Sequence, residues 1–340
     1  MINFRFHLVS LVAVFLSLGL GILVGSTVID QGIVNRLDSE INHVKKENSK
    51  VEAANKALTE QNKQLQQYID DAAPFVGDGR LDAQSIAVVA ERGVNGSVVK
   101  QTEAALRAAG ADVPAVLRLE NSWQLDNDSR VQSLQSALGV QGTASQTRDA
   151  ALDLLARRLV KAPKSTTSTT PPSSATTDQE TGASGNTATS PSTAKVDALG
   201  ALEKAGFLSI IDGDASSFDA FPTNATDVLV ITGDDSDFAG SDLTAAVVRA
   251  MTKAKLPTVV AAAYDEGSNP ATAPQRGAAL SSVLDDQVLS RVTSTVDDLE
   301  LMQGRVATVL ALETIASGTT GHYGYGSGAS APLPPDRSSG

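Results

Sequence analysis

A chain of 340 residues with 41% hydrophobic and 4% aromatic side chains has room for one sizeable domain or two small ones, with a core of Val, Leu, Ile and Ala. It contains no cysteine, which excludes disulfides, thiolate metal sites and thiol catalysis. The net charge of −12 gathers late: residues 195–317 carry 18 acidic against 8 basic side chains, a net of −10, which argues against nucleic acid or anionic lipid as partners.

The chain opens on a membrane helix that runs into a coiled coil. Leu8 to Val28 reads LVSLVAVFLSLGLGILVGSTV, without a charge and long enough to cross a hydrocarbon core of roughly 30 Å. Ser17, Gly21 and Gly25 recur every fourth residue, a small-residue strip along which two membrane helices can approach closely. Arg5 and the amino terminus are the only charges ahead of the apolar run, so that end is expected in the cytoplasm. The run exceeds the apolar core of a signal peptide and no clean A-x-A site precedes the heptads. An uncleaved anchor is expected, with the rest of the chain outside the cytoplasm.

Heptads begin at Val34. Val34, Ile41, Asn48, Asn55, Asn62 and Ile69 fall every seventh residue, and Leu37, Val44, Val51, Leu58 and Leu65 follow the first five by three. These are a and d positions of a left-handed supercoil. Asparagine at a costs stability but pairs with its twin across the axis, favouring a parallel, two-stranded register. The expectation is a homodimer, or a higher homo-oligomer, assembled through this stalk.

Pro74 marks the expected end of the stalk, and Gly77 and Gly79 a short hinge. The period then changes. Ile86–Ala90 (IAVVA) is a continuous apolar run of the kind found in buried parallel strands. Gly93 and Gly96 turn the chain, Ser97 can cap a helix ending at Gly110, and Val113–Leu119 is the next strand, which completes a βαβ unit. Helices are expected around Arg130–Leu138 and Arg148–Val160. Pro163 to Ala194 is Ser, Thr, Pro and Gly without one large apolar side chain, so it cannot bury a core.

Beyond it, a helix is expected near Val196–Ala205. Strands are expected at Phe207–Ile211, Val228–Ile231, Thr258–Ala263 and Val292–Val296. Helices fall at Asp242–Lys255, Gln275–Leu284 and Leu299–Ile315. The predicted fold class is therefore α/β: a transmembrane helix and parallel coiled-coil stalk, then a doubly wound, mostly parallel sheet with a disordered insertion. Two separate half-domains are the alternative. The domain boundaries read as anchor 1–28, coiled coil 29–73, first sheet part 74–162, linker 163–194, second sheet part 195–317 and a flexible Gly/Pro-rich tail 318–340.

Chemistry-bearing groups are sparse. Gly93-Val94-Asn95-Gly96 follows a strand and opens a helix, but it lacks the third glycine of a dinucleotide fingerprint, and no Walker lysine is present. Asp212 and Asp214, and Asp234, Asp235 and Asp237, follow strands and are the candidate oxygen ligands for a hard divalent ion, in a spacing that also suits turns and caps. His7, His43 and His322 lie far apart, and no nucleophile–base set can be built from them. No catalytic residue, no cofactor and no enzymatic activity is expected.

FRFHLVSLVAVFLSLGLGILVGS at the start, the heptads after it, IAVVAERGVNGSVV and the late GHYGYGSG together resemble one actinobacterial family, that of the mycobacterial copper transport protein B. The most specific part is H-x-x-S-L-x-A-V-F-L-x-L-x-x-G, from His7 to Gly21. The resemblance covers the chain apart from the Thr/Ser-rich insertion. It implies a role in copper homeostasis of the cell envelope, with copper as the transported ion, outer-membrane placement and channel formation. The residues carry over no copper ligand, because soft copper prefers Cys and Met and copper(II) prefers imidazole. Here Met1, Met251, Met302 and the three histidines are scattered. Nor are there the alternating ten-residue segments of a membrane β-barrel. A dimeric envelope scaffold without transport activity is the alternative reading.

Overall fold

The computed structural model of the chain describes residues 4–160, 198–213, 224–265, 277–326 and 328–335. The Ser/Thr/Pro linker falls outside the described residues. Two compact units are present, Met1–Tyr68 and Ile69–Gly340.

Helix α1 spans Phe4–Gly77. Within it Phe4–Ser26 is a stretch of 23 residues long and apolar enough to cross a membrane. At 1.5 Å per residue that is roughly 35 Å. The helix runs past Pro74, the expected end of the stalk, and ends three residues later at Gly77. Arg80 N then donates to Gly77 O at 3.2 Å.

In the second unit β1 (Ile86–Glu91), α2 (Gly96–Ala108) and β2 (Ala115–Leu119) form the βαβ unit. A short 3-10 turn, α3 (Asp128–Leu138), α4 (Ala144–Leu159) and α5 (Ala198–Lys204) follow. Next come β3 (Leu208–Gly213), β4 (Asp227–Gly233), α6 (Leu243–Lys253), β5 (Thr258–Ala263), α7 (Ser281–Leu284) and α8 (Leu289–Val292). The last elements are β6 (Ser294–Val296), α9 (Met302–Ala316) and β7 (His322–Tyr323). The strands make one seven-stranded sheet in the order β3-β2-β1-β4-β5-β6-β7, parallel except for β3 against β2. Strands from both sides of the linker share it, since Ile86 to Ala90 pair with Asp227 to Ile231. Two half-domains are thereby excluded.

Every residue of β1 is buried. Ile86, Val88 and Ala90 enter a core with α2 and α9, while Ala87 and Val89 enter a second core with α3, α4, α5 and α6. Helices cover both faces, which is why the strand reads as an unbroken apolar run rather than an alternation. Trp123 closes one end of the second core. Its ring meets Phe207 edge-on at 5.4 Å, and its indole N–H donates to Phe207 O at 2.8 Å.

Three sequence expectations shift. The strand expected from Val292 begins at Ser294, because Leu289–Val292 closes as a helical turn. The helix expected over Gln275–Leu284 is a 3-10 turn at Ala278–Leu280 running into α7. The segment read as a flexible tail supplies β7, which pairs Thr295 with His322 and Val296 with Tyr323. Asp297, buried at the end of β6, accepts from Tyr325 N at 2.9 Å and Gly326 N at 2.7 Å, so a buried carboxylate holds the glycine-rich turn.

Candidate functional site

The strand order turns between β1 and β4: β2 and β3 lie to one side, β5, β6 and β7 to the other. The helix after β1 packs on one face and the helix after β4 on the opposite one. The crevice outside the carboxyl ends of these two strands is where an open α/β sheet presents its binding surface.

Glu91 ends β1 inside this crevice and is 1% exposed. Its carboxylate accepts from Thr232 Oγ1 at 2.7 Å, Ser236 Oγ at 2.6 Å and Thr244 Oγ1 at 2.6 Å. Burial pushes its pKa above the ordinary carboxylate range, and the three hydroxyls oppose that rise by stabilising the charge. Next to it Arg92 pairs with Glu120 at 2.6 Å and with Asp237 at 3.5 Å, and Arg118 pairs with Glu120 at 2.8 Å. Burial raises the Glu120 pKa, but donors from Ser209, Arg92 and Arg118 outweigh it and hold the carboxyl below its usual value. Gly93 adopts φ +95°, and a Cβ there would lie 2.1 Å from Asp235 O. Asn95 caps α2 by accepting from Ser97 N at 2.9 Å and Ser97 Oγ at 2.8 Å.

Two cavities flank these groups. One of about 500 Å³ is lined by Glu91, Arg92, Gly93, Arg118 and Asn121. The other, about 240 Å³, is lined by Asn95, Gly233, Asp235, Asp265 and Glu300. Partial burial first, and the facing Asp265 carboxyl second, raise the Asp235 pKa. Both arginines of the larger cavity are engaged by carboxylates, so that cavity is internally neutralised rather than an open anion seat.

Of the five aspartates read as metal candidates, the four that are described do not converge. Asp234, Asp235 and Asp237 follow β4 at the carboxyl ends of the parallel strands. Asp212 lies in the edge strand β3, which runs antiparallel and pairs Asp212 with Val116, next to the start of β2, so it sits at the opposite end of the strands. Asp214 lies outside the described residues. Asp237 is committed to Arg92. Among the described residues no group of three or more His, Cys, Asp or Glu could hold a metal ion. The network around Glu91 escaped sequence reading because its three hydroxyl donors come from positions 141 to 153 residues away.

On α1, the d residues Leu37, Val44, Val51, Leu58 and Leu65 and the a residues Ile41, Asn48, Asn55 and Asn62 are exposed in the single chain. The side chains of Val34 and Ile69 fall outside the described part. Ser17 Oγ donates to Val14 O at 2.9 Å, and a Cβ on Gly21 or Gly25 would meet nothing within 4 Å. Both apolar strips are thus uncovered.

One N-terminal helix long and apolar enough to cross a membrane, followed by a mixed α/β unit with a mostly parallel sheet, defines the class of the protein. The chain belongs to the family described as copper transport outer membrane protein, MctB, whose match spans residues 1–334. It is similar to the copper transporter MctB of Mycobacterium tuberculosis (strain H37Rv), with 25% identity over 339 residues, 97% of this chain and 98% of the relative. The copper transporter MctB of Mycobacterium bovis matches to the same extent. The resemblance carried by His7 to Gly21 therefore holds. This is a transport family and not a family of enzymes.

Proposed function

We propose that the chain is a copper-homeostasis protein of the cell envelope that lowers internal copper. Phe4–Ser26 anchors it in a single pass, the heptads join two copies in parallel, and the α/β module lies outside the cytoplasm. The observation that carries this reading is the family match over residues 1–334 together with the copper transporters of two mycobacteria at 97% coverage. The uncovered a and d residues of α1 support the dimer, since an apolar seam of this length in water is stable only against a partner. We read the module as doubly wound, from the strand order and the helices on both faces.

Copper is the cargo of this protein rather than a resident ion. The chain has no cysteine, and among the described residues no cluster would retain a metal. A conducting path would need several copies, because a single spanning helix encloses no pore.

Copper content and copper tolerance of a strain lacking the gene, with and without complementation, test the role. Raised cell copper and lowered tolerance, both restored by the intact chain, are the expected result. Unchanged copper overturns the reading. Planar-bilayer conductance of the purified chain tests the path, and its absence at every copper concentration would exclude a channel.

A further inference from the structure

The cavity of about 500 Å³ at the carboxyl end of β1 is a gap in the core on the α2 face of the sheet. On that face β1 carries Ile86, Val88 and Ala90, and β2 carries Val116 and, two residues on, Arg118. Arg118 stands beside Ala90 in the strand register. A methyl group and a guanidinium thus take the place of the large apolar pair that would continue the core. Helix α2 begins there with Gly96, whose Cβ would meet nothing within 4 Å. On the other side of β2, β3 bulges. Val116 pairs with Asp212 and Leu117 with Ile210, so Ile211 between them has no counterpart and lines the cavity. The volume is that of a small-molecule site, roughly 300–1,000 Å³, at the place where an open α/β sheet binds.

The polar groups of the wall restrict what fits. Its charged side chains are Glu91 and Asp237 against Arg92 and Arg118, and they cancel. An anion would meet Asp237 and a cation two guanidinium groups, in either case against charges already paired. Hydrogen-bonding capacity is left over all the same. Arg118 donates to Glu120 through Nε at 2.8 Å, and neither of its Nη groups bonds within the described residues. The Asn121 side chain makes no hydrogen bond there either, although its Oδ1 is buried. Buried polar groups are ordinarily satisfied. Both residues therefore call for a partner from outside the chain that accepts from a guanidinium and exchanges hydrogen bonds with an amide. A hydroxyl accepts and donates without carrying a charge.

We propose that this cavity binds an uncharged polyhydroxyl ligand, a saccharide of one or two rings, with its hydroxyls at Arg118 and Asn121 and its ring against Val94 and Ile211. The guanidinium presents its donors side by side, which suits a pair of adjacent hydroxyls. Nothing in this assignment depends on the copper role.

Saturation-transfer NMR on the full chain in lipid nanodiscs, with free glucose, N-acetylglucosamine, maltose and trehalose as probes, tests it. At least one sugar should receive saturation from the wild type, with a signal that levels off as its concentration rises. Gly96→Leu fills the cavity without touching a charge, and Arg118→Met removes the fork. Each should weaken binding at least tenfold, the loss expected when a hydrogen bond to a charged group goes. Thermal melts identify the variants that fold, and either one alone decides the matter. Binding that persists in a folded variant lies elsewhere and overturns the proposal. Silence from all four sugars overturns it too, as does competition for the site by inorganic phosphate or acetate, which would make it an anion seat.

Discussion

At the scale of single residues, Glu91 is the group whose environment is most particular. Three hydroxyls from β4, the following loop and α6 point at one carboxylate, so truncating it strands three buried donors at once. Glu91→Ala should lower unfolding free energy by about 3 kcal/mol, read in urea from the fluorescence of Trp123, the only tryptophan. The pH dependence has a definite sign. Burial raises the folded-state pKa of Glu91 above its value of 4.5, so its contribution is largest at low pH and is lost as pH rises through the folded pKa. The stability of the wild type relative to Glu91→Gln, which cannot titrate, should therefore rise as pH falls from neutrality toward 4.5. A difference that stays flat would mean the carboxyl titrates alike in both states. Gly93 offers a steric counterpart. Gly93→Ala places a Cβ 2.1 Å from a backbone carbonyl in a left-handed conformation, whereas Gly139→Ala, at φ +67°, meets nothing within 4 Å. The second should cost about 1 kcal/mol and the first clearly more, and thermal melts of the two variants would show the order.

At the scale of elements, the end of the sheet depends on one carboxylate. Asp297 holds the turn after β7 through two backbone N–H groups, and its own N–H donates to Tyr323 O at 3.2 Å. Asp297→Ala should release β7: hydrogen exchange at Thr295 and in the turn at Tyr325–Gly326 should speed up by at least tenfold, with β1 and β4 unchanged. Equal protection in the variant would show that pairing alone retains the strand. The stalk makes a separate prediction. Asparagine at three successive a positions selects two strands, so light scattering of the detergent-solubilised chain should show two copies. Replacing Asn48, Asn55 and Asn62 with Ile should shift the stoichiometry toward higher states. A wild-type monomer at micromolar concentration would contradict the coiled-coil reading.

At the scale of the molecule, the α/β module resembles a ligand-binding architecture whose usual site is charge-balanced by its own salt bridges. Arg92 and Arg118 are neutralised by Glu120 and Asp237, and Asp212 and Asp234 lie at opposite ends of the strands.

The sequence by itself determined the parts whose physics is local or periodic. A 23-residue apolar span, a seven-residue repeat and unbroken strand cores such as IAVVA declare themselves through hydropathy, and the His7 to Gly21 pattern identified the family. Tertiary structure decided what depends on pairing between distant segments. That β3 runs antiparallel, placing Asp212 across the sheet from Asp234, follows from an edge strand's freedom to pair in either direction, which no local pattern records. That GHYGYG closes the sheet follows from a buried Asp297, 28 and 29 residues before its partners Tyr325 and Gly326, and the Glu91 network likewise from hydroxyls on β4, the loop after it and α6. Glycine and serine look the same in a mobile tail as in a turn clasped by a carboxylate; only the acceptor's position in space tells them apart.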